Sequence, residues 1–342
     1  MNEATHPKPA LQPADFSSDQ EVRWCPGCGD YAILKCLQRT LPEIGTPPDR
    51  TVFVSGIGCS SRFPYYMATY GFHTIHGRAP AIATGVKMAN PELDVWVITG
   101  DGDGLSIGGN HLLHALRRNV DLNILLFNNE IYGLTKGQYS PTSRIGTRSP
   151  STPLGSVERP VNPCAFALGA GARFVARTID TAQKHMPEVF KRAHAHKGAS
   201  FIEIFQNCIV YNDGIYADFT DKKTAAERQL MLAHGAPMLF GAARNRGLRL
   251  NAKSLKLEVV TVGEDGVTAD DILVHDETNR TLAHLLAELP SEGFPVILGV
   301  IYCDPAPSFE AAVAAQTAEI VAKAGEVDLN ALLRRGQTWT VQ

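Results

Sequence analysis

The fold of this chain is decided by residues 95–132, which read VWVITGDGDGLSIGGNHLLHALRRNVDLNILLFNNEIY. Residues 95–99 and 122–127 are apolar runs of the kind that form buried strands, and residues 109–118 between them have helical periodicity. A strand, a helix and a second strand in this order predict a right-handed crossover between two parallel, neighbouring strands. The polar segments that follow the two strands should therefore meet at one edge of the sheet.

The same alternation continues outward from this unit. Further strand candidates are residues 51–54, 173–176, 201–205 and 296–302, and helix candidates are residues 31–41, 81–89, 182–196, 280–289 and 309–324. Continuous apolar strands that alternate with helices predict an α/β fold, with a mostly parallel sheet and helices on both of its faces. We expect three segments: a flexible lead-in at 1–20, the α/β domain at 21–212 and a partly helical C-terminal extension at 213–342.

Two polar motifs follow the central strands. Gly100-Asp101-Gly102 comes after the first and Asn128-Asn129 after the second, with 25 residues between the motifs. Asp101, Asn129 and the carbonyl of Ile131 offer the oxygen ligands that a hard divalent cation prefers. The glycines let the backbone approach a phosphate, and the following helix N-terminus favours an anion. Each motif alone is compatible with an ordinary turn, but the pair resembles the signature of thiamine-diphosphate enzymes. That resemblance implies a site for the diphosphate group and Mg²⁺.

Four cysteines fall at positions where the fold would gather them. Cys25 and Cys28 form a Cys-Pro-Gly-Cys turn that opens a helix, while Cys59 and Cys208 each follow a strand candidate. Four thiolates suit a 4Fe–4S cluster or a structural zinc ion. The first pair alone could instead be a redox dithiol.

The other three cysteines have different expected roles. Cys303 follows the strand candidate at 296–302 and is the alternative to Cys208 as fourth ligand. Cys36 lies among apolar helix residues, and Cys164 opens a helix rich in alanine and glycine. We expect both of these to be structural.

The motifs taken together resemble the β subunits of 2-oxoacid:ferredoxin oxidoreductases. The resemblance runs from about residue 20 to residue 211. It rests on CPGCGDY from Cys25, GIGCSSR from Gly56, HTIHGRAP from His73, GDGD from Gly100 and LTKGQYSPT from Leu134. The opening DFSSDQEVRW from Asp15 and the long C-terminal part resemble the 2-oxoglutarate branch. This implies coenzyme A-dependent oxidative decarboxylation of 2-oxoglutarate to succinyl-CoA and CO₂, or the reverse carboxylation. Electrons would pass through a 4Fe–4S cluster to ferredoxin.

The resemblance also implies which residues form the site. His76, Arg78 and Lys136 would act on the substrate, although His76 could equally be structural and the two cations could be ordinary solvated charges. Cofactor contacts are expected from Ile57, Gly58, Cys59, Ser60, His76, Gly77, Gly100, Asp101, Gly102, Asp103, Asn129, Ile131, Tyr132, Gly133, Leu134 and Thr135. The loop at 135–163, rich in Gly, Ser, Thr and Pro, would lie over this site.

The sequence lacks a second module of comparable size that could supply the glutamate against the aminopyrimidine ring of thiamine. Glu43, Glu92 and Glu130 lie in no motif that would nominate them. We therefore expect an obligate α subunit, in an αβ or (αβ)₂ assembly, which supplies this glutamate and most of the coenzyme A site.

Composition narrows the partners. The chain has 342 residues, is 44% hydrophobic and carries a net charge of −3, so nothing favours nucleic acid or an anionic membrane. The N-terminal residues lack the apolar core of a signal peptide, which predicts a cytoplasmic protein. Three alternatives stay open: pyruvate or other 2-oxoacids as substrate, a non-redox thiamine-dependent decarboxylase subunit, and an iron–sulfur protein without catalysis. Another 2-oxoacid would keep the same site. The non-redox enzyme would lack the cluster, and the iron–sulfur protein would lack the thiamine diphosphate site.

Overall fold

The computed structural model describes residues 10–325 and 328–342. Its strands are β1 (Thr51–Ser55), β2 (Tyr70–His73), β3 (Asp94–Gly100), β4 (Asn123–Asn128), β5 (Ile131–Tyr132), β6 (Gln138–Tyr139), β7 (Phe174–Ile179), β8 (Ser200–Phe205), β9 (Gln229–Met231), β10 (Leu239–Phe240), β11 (Arg246–Asn251), β12 (Lys256–Thr261) and β13 (Val296–Cys303). Its helices are α1 (Asp30–Ile44), α2 (Ala79–Ala89), α3 (Gly109–Arg118), α4 (Pro163–Gly169), α5 (Met186–Ala195), α6 (Ala217–Thr220), α7 (Ala225–Arg228), α8 (Arg280–Ala287), α9 (Phe309–Ala324) and α10 (Leu329–Leu333).

The predicted strand–helix–strand unit is β3, α3 and β4, and it lies at the centre of the main sheet. Eight strands form this sheet in the order β2-β1-β3-β4-β8-β7-β13-β9. Neighbouring strands from β2 to β7 are parallel, whereas β13 is antiparallel to β7. Gly100 pairs with Phe127, so both polar motifs leave the sheet at the same edge. The prediction of a mostly parallel α/β sheet is confirmed.

Helices cover both faces of the sheet because alternate strand residues point to opposite sides. Val95 and Val97 pack in the core beneath α2, α3, α4 and α8. Trp96 and Ile98 of the same strand pack with α1 and α5. In the described part of the chain, none of the helices is long and apolar enough to cross a bilayer.

The C-terminal part contains more strands than the sequence predicted. It supplies β9 and β13 to the main sheet, and it also forms a three-stranded antiparallel sheet of β10, β11 and β12. The boundary expected at residue 212 therefore cuts across a continuous core, in which Ile297 and Ile301 pack with Val175. The two predicted helices of this region form as α8 and α9.

The predicted lead-in is also different over the residues that the structure describes. Residues 1–9 of it lie outside them. Residues 10–20 are not free: Phe16 is fully buried in the core beside α1, and the hydroxyl of Ser18 donates to the carbonyl of Tyr65 at 2.7 Å. A buried aromatic ring and a hydrogen bond thus hold a segment that its polar composition suggested was flexible.

Candidate active site

A cavity of about 590 Å³ opens at the carboxyl ends of β3 and β4. It is lined by Ile57, Gly58, Cys59, Ser60, His76, Gly100, Asp101, Gly102, Asp103, Phe127, Asn129, Ile131, Tyr132, Gly133, Leu134 and Thr135. The structure thus brings together every expected cofactor-contact residue except Gly77, which packs against Gly108 and does not line the cavity. Phe127 is an addition that the sequence did not suggest.

Asp101 is a buried carboxylate held by the loop that follows β6. The hydroxyls of Ser140 and Thr142 each donate to its Oδ2 at 2.6 Å. Burial raises the pKa of Asp101 to about 6, although these hydroxyl groups lower it. Within the described residues, Oδ1 accepts no side-chain hydrogen bond, so one carboxylate oxygen is available to a cation. The loop predicted to lie over the site therefore contributes two residues, Ser140 and Thr142, whose roles the sequence did not reveal.

The Gly-Asp-Gly motif contacts the segment that follows the two asparagines. The hydroxyl of Tyr132 donates to the carbonyl of Gly102 at 3.0 Å. A Cβ at Gly102 would lie 2.1 Å from the Tyr132 ring, so only glycine allows this approach. Between the asparagines and Ile131, Glu130 adopts a left-handed conformation with φ of 54°. That turn brings Ile131 into the cavity wall next to Asn129.

His76 is held by Asp103. Oδ1 of Asp103 lies 2.5 Å from Nδ1 of His76 and accepts the backbone N–H groups of Gly77 and Ile57 at 2.7 and 3.0 Å. Its Oδ2 accepts the hydroxyl of Thr99 at 2.6 Å. The carboxylate is fully engaged, so Asp103 positions the wall rather than offering a free ligand. Arg78 points elsewhere: its guanidinium donates to the carbonyl of His76, and it lines neither this cavity nor the next.

Asp103 also begins a turn of π-helix, Asp103–Ile107, that precedes α3. The N–H of Gly108 donates to the carbonyl of Asp103 at 3.1 Å, and a Cβ at Gly77 would lie 2.5 Å from the Gly108 nitrogen. Wide turns of this kind are frequent at functional sites. Here the widened turn lets the His76-Gly77 segment pack against the start of the helix.

A second cavity of about 870 Å³ adjoins the first. It is lined by Arg23, Trp24, Cys25, Cys28, Cys59, Arg62, Asn129, Gly133, Leu134, Lys136, Gln206, Cys208, Ile209, Val210 and Tyr211. All four cysteines of the predicted set therefore face one space, and Cys59 and Asn129 line both cavities. The exposed Lys136 belongs to this second cavity.

Two of the thiols in this cavity lie beside Gly133. A Cβ at Gly133 would be 3.4 Å from the Sγ of Cys208 and 3.6 Å from the Sγ of Cys59. Burial raises the pKa of Cys59 to about 12. Burial, followed by the negative charge of Asp30, also raises the pKa of Cys28. Free thiols in this environment stay protonated, so a cationic group would have to displace their protons to bind.

Cys303 lies away from these four cysteines. It pairs with Phe174 at the start of β7, and its Sγ is 3.9 Å from Nδ1 of His196. Cys303, the alternative to Cys208 as fourth ligand, is thus away from the other three cysteines, because β13 runs antiparallel and ends at the opposite edge of the sheet. Cys36 and Cys164 are buried in the core, as predicted.

Comparisons with known proteins show the family of this chain. The family model described as "Thiamine pyrophosphate enzyme, C-terminal TPP binding domain" matches residues 56–204. The 2-oxoglutarate oxidoreductase subunit KorB of Mycobacterium tuberculosis is 50% identical over 332 residues, which cover 96% of this chain and 88% of the relative. Subunit β of 2-oxoacid:ferredoxin oxidoreductase 1 from Aeropyrum pernix is 48% identical over 206 residues, or 60% of this chain and 65% of the relative.

A solved structure extends the likeness to the whole fold. The 2-oxoglutarate:ferredoxin oxidoreductase from Magnetococcus marinus, with 2-oxoglutarate, coenzyme A and succinyl-CoA bound, matches with a TM-score of 0.77 and 33% identity. The match covers 99% of this chain and 100% of the other. The chain therefore belongs to the β subunits of the 2-oxoacid:ferredoxin oxidoreductases, in the 2-oxoglutarate oxidoreductase branch.

Proposed function

We propose that this β subunit works with an α subunit to convert 2-oxoglutarate and coenzyme A to succinyl-CoA and CO₂, or to run the reverse carboxylation, with ferredoxin as the electron carrier. The observation that carries the proposal is the shared wall between the two cavities. Asp101 and the glycine motif lie on one side, four cysteines lie on the other, and Cys59 and Asn129 line both. A carbon-centred reaction and an electron acceptor can thus sit side by side.

The first cavity fits the diphosphate of thiamine diphosphate together with Mg²⁺. The free Oδ1 of Asp101, the Oδ1 of Asn129 and the carbonyl of Ile131 are the oxygen donors that would hold the metal. When bound, thiamine diphosphate supplies the carbon nucleophile and the electron sink for decarboxylation. The protein's part is to hold the diphosphate through Gly100 and Gly102 and to keep Asp101 in place through Ser140 and Thr142.

The second cavity fits a 4Fe–4S cluster held by Cys25, Cys28, Cys59 and Cys208. In residues 10–325 and 328–342, no three His, Cys, Asp or Glu side chains converge closely enough to hold a single metal ion. A structural zinc ion would be such a single ion, whereas a 4Fe–4S cluster takes four thiolates around one larger group. The four cysteines around one cavity therefore support the cluster.

His76 and Lys136 have separate proposed roles. Because Nδ1 of His76 is committed to Asp103, Nε2 is the nitrogen free to hold or move a proton at the reacting group. Lys136 lies on a strained turn with φ of 76° at the rim of the second cavity, where its charge would attract an anionic substrate. Arg78 would act through the carbonyl of His76 rather than by touching the substrate.

The α subunit remains necessary in this proposal. The carboxylates that line the first cavity are Asp101 and Asp103, and no glutamate of the described residues lines it. The glutamate that activates the aminopyrimidine would come from the partner, as would most of the coenzyme A site. Either an αβ or an (αβ)₂ assembly would complete the site.

The α/β complex purified without oxygen provides the test. We expect about four iron and four sulfide per β chain, bound thiamine diphosphate, and coenzyme A-dependent viologen reduction that is faster with 2-oxoglutarate than with pyruvate or branched 2-oxoacids. Decarboxylation without viologen reduction, in a complex that lacks iron, would instead identify the non-redox enzyme. Iron without thiamine diphosphate or catalysis would identify a protein that only transfers electrons.

A further inference from the structure

Gln206 is a buried polar residue between the two cavities. It directly follows β8, its side chain is 1% exposed, and it lines the cysteine cavity together with Asn129. Nothing in the sequence patterns pointed to it. Buried amides need partners for both ends of the side chain, and those of Gln206 come from the two different cofactor sites.

The hydrogen bonds of Gln206 use all of its polar atoms. Its Oε1 accepts Nδ2 of Asn129 at 2.8 Å. Its Nε2 donates to the Sγ of Cys28 at 3.3 Å and to the carbonyl of Asn207 at 2.6 Å. At the far end of this chain, Oδ1 of Asn129 accepts the N–H of Ile131 at 3.2 Å. One side chain therefore joins a predicted cluster ligand to a predicted metal ligand.

The hydrogen bonds that link Cys28, Gln206 and Asn129 can run in only one donor-to-acceptor direction once Cys28 is a thiolate. A thiolate that ligates a cluster accepts hydrogen bonds and donates none, so Gln206 must present its amino group to Cys28. Its carbonyl oxygen then faces Asn129, which must present its own amino group in return. The oxygen of Asn129 is left facing the diphosphate site, where a cation needs it.

We propose that Gln206 is a positioning residue that couples the two sites: it orients the amide of Asn129 for the metal and donates a hydrogen bond to Cys28. This inference rests on the proposed function, because it takes Asn129 and Cys28 as ligands. A donor to a cluster sulfur stabilises the more negative, reduced state, and such bonds are one determinant of the cluster's reduction potential. The same side chain thereby affects thiamine diphosphate binding and electron acceptance.

Two substitutions separate these effects in the α/β complex. Gln206→Leu keeps the approximate volume of the side chain and removes its hydrogen bonds to Cys28 and Asn129. The reduction potential of the cluster should therefore fall. The Kd for thiamine diphosphate with Mg²⁺ should rise about tenfold, as for other residues that orient metal ligands. Gln206→Glu can still accept from Asn129 but presents no amino group to Cys28. It should lower the potential and leave the Kd within about twofold of the wild type. The cluster potential is measured by a redox titration that is monitored by electron paramagnetic resonance. The Kd for thiamine diphosphate is measured by calorimetry on the cofactor-free complex.

Gln229 provides the matched control. Its Nε2 donates to the backbone carbonyl of Phe219 at 2.6 Å, and neither residue lines either cavity. Gln229→Leu and Gln229→Glu should leave the potential and the Kd unchanged. The wild-type complex is analysed first for iron, sulfide and thiamine diphosphate, and if any of these is missing, the proposed function and this inference fall together.

In a wild-type complex that holds both cofactors, the variants test the inference alone. It is overturned if Gln206→Leu changes neither quantity, or only one of them. It is also overturned if Gln206→Glu weakens thiamine diphosphate binding as much as Gln206→Leu does. Loss of the cluster in both variants with normal thiamine diphosphate binding would show that Gln206 supports only the cluster, which again contradicts the coupling.

Discussion

Asp103 fixes the orientation of His76 through the 2.5 Å contact between Oδ1 and Nδ1. The carboxylate is itself held by the N–H groups of Ile57 and Gly77 and by the hydroxyl of Thr99. A histidine whose Nδ1 is bonded to a buried carboxylate has a defined tautomer and ring orientation. The second aspartate of the Gly-Asp-Gly-Asp motif therefore acts on the site through His76.

We predict that Asp103→Asn lowers kcat about 100-fold, within the range expected for general acid–base groups. The asparagine oxygen can still accept the three N–H donors, but the negative charge beside the His76 ring is lost. Viologen reduction by the α/β complex would measure the rate, with the thiamine diphosphate Kd little changed. Because the two residues act as a unit, adding His76→Asn to Asp103→Asn should cause little further loss. If the loss in kcat of the double variant equals the product of the two single losses, the two residues act independently and the prediction is wrong.

Replacement of Asp101 should remove the metal–diphosphate site without affecting the cysteines. Asp101→Ala deletes the carboxylate that Ser140 and Thr142 hold, so thiamine diphosphate and Mg²⁺ should no longer copurify, while iron and sulfide remain. Cofactor content and metal analysis of the complex give the result. The exposed Asp49 offers a control, since Asp49→Ala should keep both cofactors. Thiamine diphosphate at wild-type occupancy in Asp101→Ala would contradict the assignment.

The fourth cluster ligand can be tested by paired serine substitutions. Cys208→Ser removes a thiol from the cavity that also holds Cys25, Cys28 and Cys59, so the iron content should drop and the electron paramagnetic resonance signal should change or vanish. Cys303→Ser is the control, because this thiol lies at the opposite edge of the sheet beside His196. An intact cluster in Cys208→Ser and a lost one in Cys303→Ser would reverse the assignment.

The central sheet could be predicted because its strands carry their own signal. The runs around Val97 and Leu125 are continuously apolar, as strands buried on both faces must be. The edge strand β2 has no such signal: all four of its residues are exposed, and its backbone pairing with β1 decides its conformation. The antiparallel sheet of β10, β11 and β12 was also missed, since β10 has only two residues and the half-buried β11 and β12 mix charged with apolar residues.

The candidate site was predictable where its residues stand in local motifs and not where contacts come from afar. Asp101 and Asn129 each follow a strand, so sheet topology alone brings them together. Ser140 reaches Asp101 across 39 positions and Gln206 reaches Asn129 across 77, and no short-range pattern encodes such contacts. The direction of β13 was likewise not readable from the run at 296–302, because antiparallel and parallel buried strands have the same composition.

A buried ion pair should dominate the stability of the β7–β8 region. Nε of Arg177 lies 2.7 Å from Oε2 of Glu203, and their side chains are 9% and 1% exposed. Arg177→Met would leave Glu203 buried without its partner, and we expect a loss of about 3–5 kcal/mol in the free energy of unfolding. Urea unfolding followed by circular dichroism measures it. The double variant with Glu203→Gln should recover much of the loss, and a single-variant loss below about 1 kcal/mol would contradict the prediction.

Acid should destabilise the chain through His185. Burial lowers the pKa of this imidazole to about 4 from 6.5, and its Nδ1 lies 3.0 Å from the hydroxyl of Thr178. Above pH 6.5 the ring is neutral in both the folded and the unfolded chain, so it adds no pH dependence. As the pH falls from 6.5 towards 4, the unfolded chain takes up a proton that the folded chain does not, and stability decreases. His185→Gln can still accept from Thr178 and should flatten this part of the profile, while stability near pH 8 changes little. Free energies of unfolding measured between pH 8 and pH 5 would test this, and an equally steep decline in the variant would show that other groups carry the acid sensitivity.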